Sequence, residues 1–356
     1  MGVAQGHPRH GAALAVLDRA ARVQAGVIVG LLAFVLLVLP SILSSYWVDV
    51  MTSVVIYAVV ALGLGLLMGR VGLVSLGQIA ILAIGAWIAA RLTYATSLPY
   101  PVVLLASGAM TAVLGTLVGL PALRLSGLFL ALITLMLAGA ITVVLTTTQF
   151  PNGGAGFLGH TDSSLGSNAV RRPAIATGDD AYFRYAVVVA VLMFGAVVLH
   201  LRSKAGRAWA AIRQSEASAL AAGVNITRYK LWALGLASFS SGIAGGLLAG
   251  SVGKLYIVQF PISGNILLLA AVLMGGIYTL WGAVAAGVLI KLLPALLDDW
   301  GLPPDLLTIL FGVGILQVLI TAPEGIAVQM PRDLGRLVGL LTRPFQQRAA
   351  ARKEPS

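Results

Sequence analysis

Only 10% of the 356 residues are charged, while 59% are hydrophobic. A water-facing surface takes roughly 25% charged residues, so this composition excludes an ordinary soluble domain and makes lipid the solvent of most of the chain. The net charge of +11 would suggest nucleic acid in a soluble protein. In a membrane chain it follows from Lys and Arg gathering in cytoplasmic loops, and no nucleic-acid partner is expected.

In chain order, a basic arm (residues 1–22, with Arg9, Arg19 and Arg22) precedes an apolar run at 25–39. No small-x-small cleavage signal follows it, so it reads as an uncleaved first span. A span needs about 20 apolar residues. Ten segments qualify, at 23–43, 51–68, 71–90, 101–120, 125–146, 182–201, 231–250, 265–278, 281–297 and 305–321. The chain is therefore expected to be an all-α polytopic integral membrane protein of about ten transmembrane helices. Its transmembrane domain covers 23–321, and a basic tail covers 322–356, with a short surface helix at 333–341 followed by disorder. Segment 71–90 is studded with polar residues and 265–278 is short, so both are expected to be broken or partly re-entrant. A polar loop at 149–181 and a basic stretch at 202–230 fall on opposite sides.

Charge tests this layout. With the N-terminus inside, 17 of the 23 Lys and Arg residues fall in inside segments and five outside (Arg91, Arg171, Arg172, Arg184 and Lys254), leaving Lys291 within a span. Such asymmetry places both termini in the cytoplasm. Glycines four apart (Gly65 and Gly69; Gly115 and Gly119; Gly242, Gly246 and Gly250) read as sites of close helix packing, because in lipid small residues let backbones approach.

Absences bound the chemistry. No Asp or Glu lies mid-span, whereas proton- and sodium-coupled carriers commonly bind the coupling ion on intramembrane carboxylates. The phosphate-binding G-x-x-x-x-G-K-[ST] pattern is missing, so uphill movement of a solute would draw its energy from a partner. With no cysteine, and with His160 and His200 isolated, no metal site is expected.

Four features remain. The Ala-rich stretch from Arg207 to Gly223 favours a helix stopped by glycine, and Asn225 or Thr227 would cap the next. On one continuous helix Trp209, Ile212, Glu216, Ala219 and Leu220 would share a face. That puts a carboxylate within an apolar stripe, suited either to docking on a protein groove or to pairing with Arg213. Ser75 and Gln78, three apart, would face one side of a helix and either line a solute path or bond neighbouring helices. Three roles are open to Lys291: snorkelling, facing the path, or pairing with a carbonyl. The run Pro151, Asn152, Gly153, Gly154 is a turn cluster that forms the outer mouth or simply a turn.

Taken together, several stretches resemble the permeases of branched-chain amino-acid ABC importers, in the M-type branch. They are Gly72-Leu-Val-Ser-Leu-Gly-Gln78, residues 123–135, Pro151-Asn-Gly-Gly154, residues 203–230, Met274-Gly-Gly-Ile-Tyr-Thr-Leu-Trp-Gly282 and Pro323-Glu-Gly-Ile326. The resemblance implies a type II-like importer permease in a bacterial inner membrane, itself no enzyme and holding no cofactor. Two ABC ATPase subunits would bind ATP and Mg, a second, H-type permease would complete a heterodimer, and an extracytoplasmic solute-binding protein would deliver amino acid. It also implies that 203–230 is the ATPase-coupling element, with Arg213, Glu216, Ala217 and Gly223 as carried-over positions beside Trp209 and Ile212. Departures from the family pattern at Ser218, Leu220, Tyr278, Ala283 and Gln78 bear on the solute. A urea, short-amide or other small-metabolite permease of the same family is the nearest alternative. An ATP-independent carrier or channel is the alternative of another class.

Overall fold

The computed structural model describes residues 28–123, 127–148 and 172–321, with the single residues 26, 170, 325, 327 and 329. The N-terminal arm, the turn cluster at 151–154 and the surface helix expected at 333–341 lie outside the described residues. The chain divides into two compact units, 1–48 and 49–356. The first contains α1 (Ile28–Ile42), an apolar helix shorter than a full span.

The remaining helices are α2 (Ser45–Leu66), α3 (Gln78–Ala95), α4 (Tyr100–Ala122), α5 (Leu128–Thr147), α6 (Asp179–Arg202), α7 (Lys204–Gln214), α8 (Glu216–Ala221), α9 (Ile226–Val252), α10 (Ser263–Gly275), α11 (Leu280–Gly287), α12 (Leu293–Asp299) and α13 (Pro304–Thr321). Wide turns at Leu67–Val71 and Val288–Leu292 extend α2 and join α11 to α12. No strand occurs among the described residues. Eight of the helical stretches are long and apolar enough to cross a membrane. The first and last predicted spans correspond to α1 and α13.

The centre of the larger unit is α9, packed along α3 and α4. Two of the predicted glycine rows, Gly115 with Gly119 and Gly242 with Gly246 and Gly250, sit at these crossings, whereas Gly65 and Gly69 face Ile277. A Cβ on Gly85 would lie 2.6 Å from the Cα of Gly242, and one on Gly242 would lie 2.9 Å from the Cα of Gly108. Side chains of Ser238 and Leu234 fill the spaces beside Gly115 and Gly119. Since lipid tails are as apolar as leucine, this close backbone contact and the dispersion it permits hold the helices together.

Both segments expected to be broken are broken. Residues 72–77 are non-helical, starting at Gly72 with φ 83°. A second interruption follows α10 at Gly276, φ 111°, before Thr279 caps α11 by accepting from the Gly282 N–H at 3.1 Å. Exposed amides within a membrane are costly unless protein satisfies them. Here Leu76 N donates to Thr134 Oγ1 of α5, and Ile79 N to Asn265 Oδ1 of α10, each at 2.8 Å.

Candidate functional site

Residues that the charge pattern assigns to one side of the membrane come together. At the basic end, α7 and α8 lie between α6 and α9. The continuous helix expected over this stretch is corrected: Ser215 is extended (φ −164°, ψ 120°) and separates α7 from α8. Its hydroxyl accepts from Ser218 N at 3.3 Å, so it acts as an N-cap inside an alanine-rich run.

The break sorts the predicted coupling residues into two groups. Trp209 and Ile212 are buried, and the Trp209 indole N–H donates to the Tyr229 carbonyl of α9 at 2.8 Å. Ala219 is also buried. Arg213, Glu216, Ala217 and Gly223 are exposed, as is Leu220. The shared stripe is thus replaced by an anchoring side and an open side, with Glu216 and Leu220 on the open one.

Glu216 pairs with Lys230 at 2.7 Å rather than with Arg213, and the two partners differ in exposure, 53% for the glutamate side chain against 8% for the lysine. Removing Glu216 would strand a buried ammonium; removing Lys230 would leave a carboxylate that water can solvate. Glu216→Ala is therefore expected to destabilise by about 1–3 kcal/mol, and Lys230→Met by much less. Thermal unfolding of the two variants in detergent checks this ordering, and equal losses would refute it.

Arg213 reaches across the molecule instead. Its Nη1 donates to the Gly69 carbonyl at the end of the α2 extension. Its guanidinium lies over the Tyr278 ring, 4.5 Å from the centroid. Arg70 Nη2 donates to the Tyr278 carbonyl at 2.8 Å. Gly69 faces Ile277 so closely that a Cβ there would collide with the Ile277 carbonyl. One arginine of the basic segment thereby touches the chain beside both intramembrane breaks, 72–77 and 276–279.

Ser75 and Gln78 are both buried, but not on one helix face as expected: Ser75 lies in the non-helical stretch, and Gln78 is the first residue of α3. Gln78 Oε1 accepts from Ser241 Oγ of α9 at 2.8 Å, and its Nε2 makes no hydrogen bond among the described residues. Lys291 sits in the wide turn between α11 and α12 with Nζ 4.3 Å from the centroid of the Tyr57 ring, a cation–π partner that nothing in its sequence neighbourhood signals.

Sequence reasoning missed two features. Arg91, assigned to an outside loop, lies within α3 and is 6% exposed; among the described residues its Nε and Nη2 have no hydrogen-bond partner, nor has the indole N–H of Trp87 one turn earlier. At the end opposite Arg213, Arg172 pairs with Asp179 at 2.5 Å and donates to the Gly250 and Ser251 carbonyls that end α9, at 3.0 and 3.1 Å. Beside it Tyr100 and Tyr182 donate to the Gly246 and Leu247 carbonyls at 2.7 and 2.6 Å. A cation there suits the negative end of a 27-residue helix. Among the described residues no group of three or more His, Asp or Glu side chains is placed to hold a metal ion.

The chain matches the family described as "Branched-chain amino acid transport system / permease component" over residues 46–319. It is 28% identical over 305 residues to the high-affinity branched-chain amino acid transport system permease protein LivM of Escherichia coli (strain K12), covering 81% of this chain and 71% of that one. The same identity and coverage hold for LivM of Salmonella typhimurium (strain LT2). No solved structure matches it.

Proposed function

Because the chain belongs to the family of branched-chain amino acid transport permeases, we propose that it forms the translocation pathway of an ATP-driven importer whose nucleotide chemistry resides in partner ATPase subunits. The chain itself is non-catalytic, and ATP and Mg bind the partners. A solute-binding protein docks at the end of Arg172 and the outer loop, a second permease completes the pathway, and both termini are cytoplasmic in a bacterial inner membrane.

The observation that carries this reading is the reach of Arg213. An ATPase docked on the open side of α7 and α8 would meet Glu216, Ala217, Leu220 and Gly223. Trp209 and Ile212 root the same segment in the bundle. Movement of the segment would be felt at Gly69 and Tyr278, where the backbone is already interrupted. Packed elements with two arrangements, rather than elastic strain, are what such a linkage requires. The pathway is assigned to the 72–77 stretch and its partners Gln78, Ser241 and Asn265.

The test is co-purification of an ABC ATPase with the chain from its native membrane, with wild type compared against Leu220→Arg. A retained ATPase in wild type and its loss on introducing a charge at the open side support the reading. An ATPase that stays bound with Leu220→Arg and also with Ala217→Arg contradicts the assigned docking side.

A further inference from the structure

Outside the candidate pathway, α4 and α9 enclose a groove of about 800 Å³. Its walls are apolar along most of their length, with Ala112 and Phe239 at its deep end. Along the walls the one polar side chain is Thr116, whose hydroxyl donates to the Ala112 and Val113 carbonyls of its own helix; the other polar groups lie at the mouth, where the start of α9 presents Asn225, Thr227 and Arg228, with Trp232 one turn further in. From Arg228 to Phe239 the groove follows α9 for roughly 16 Å, at 1.5 Å per residue. That is about half of the ~30 Å hydrocarbon thickness. It closes there because the helices converge: a Cβ on Gly108 would lie 2.9 Å from Phe239 and 3.0 Å from Ile243.

We infer that this groove is a binding site for one anionic phospholipid, its acyl chains along the α4–α9 walls and its phosphate at Arg228. Depth favours a lipid over a partner's helix, because a crossing helix would need a groove through both leaflets and this one spans a single leaflet. Charge favours an anionic headgroup. Arg228 is exposed and forms no ion pair among the described residues. The nearby acid, Glu216, is taken by Lys230. Trp232, 55% exposed and 5.9 Å from the His200 ring, sits where indole rings favour the membrane interface.

Trp232 also supplies the probe. The purified protein is reconstituted in phosphatidylcholine vesicles containing a minor fraction of brominated phosphatidylglycerol or, separately, brominated phosphatidylcholine. The quenched component is the one lost on Trp232→Phe. Brominated phosphatidylglycerol is expected to compete for the site about fivefold better, the factor given by about 1 kcal/mol per basic residue near a membrane surface. High salt and Arg228→Gln should remove the preference, and Arg228→Lys should keep most of it. Equal quenching by the two lipids in the wild-type protein overturns the proposal, since the groove would then hold bulk lipid without regard to charge. No quenching by either also overturns it, since a protein partner would then cover the groove. The wild-type comparison and its salt dependence stand even if Arg228→Gln does not fold.

Discussion

Arg213→Ala is expected to leave the helices assembled and to cut solute-stimulated ATP hydrolysis by about 5–150-fold, the range that a coupling free energy of 1–3 kcal/mol spans. The argument rests on what the side chain joins. Arg213 belongs to the basic segment, yet its contacts are the Gly69 carbonyl of the α2 extension and the ring of Tyr278. Both lie beside interruptions of the membrane helices. Trp209, fully buried and bonded to Tyr229, continues to anchor α7 when Arg213 is removed, so folding and coupling separate. Arg213→Lys keeps the charge but loses the planar fork that lets one group both donate and stack, and should fall between. Tyr278→Phe keeps the ring and should resemble wild type. ATPase assays on the reconstituted complex, with folding followed by size-exclusion profile, check the series. Full stimulation in Arg213→Ala would remove this residue from the linkage.

Gly245→Ala is expected to produce a large loss of stability. Its added Cβ would meet Ala86 N at 2.5 Å and the Leu82 carbonyl as closely. Both are backbone atoms of α3, which no side-chain rotation can clear. The α3–α9 crossing would have to open along its length, taking with it the Gly85–Gly242 contact and strain of about 1–3 kcal/mol or more. Gly195→Ala, where nothing lies within 4 Å of the new Cβ, should be neutral or stabilising by up to ~1 kcal/mol. Thermal midpoints measured in detergent should separate the two substitutions clearly; similar midpoints would contradict the packing described.

The spans were legible because each depends on local composition. Apolar runs near 20 residues mark helices, and basic loops mark one side. The breaks at 72–77 and 276–279 were foreshadowed by polar residues and by the shortness of the second segment. The break at Ser215 was obscured by the helix-favouring alanines around it, although Ser215 followed by Glu216 is a cap with an acid in the first turn, a signal present in the sequence. Arg91 was misplaced because α3 continues to Ala95, and a charge was taken as the end of an apolar run. The contacts that join Arg213 to Gly69 and Tyr278, and Lys291 to Tyr57, were not legible at all. They pair residues far apart in the chain, and no periodicity records which helix a side chain will meet.

Uptake of radiolabelled leucine into proteoliposomes, with and without ATP and the partner ATPases, tests the central claim most directly. The account predicts accumulation only when the permeases, ATPases, solute-binding protein and ATP are all present. Accumulation or equilibration of leucine by the purified permease alone would contradict it and make the chain an ATP-independent carrier or channel.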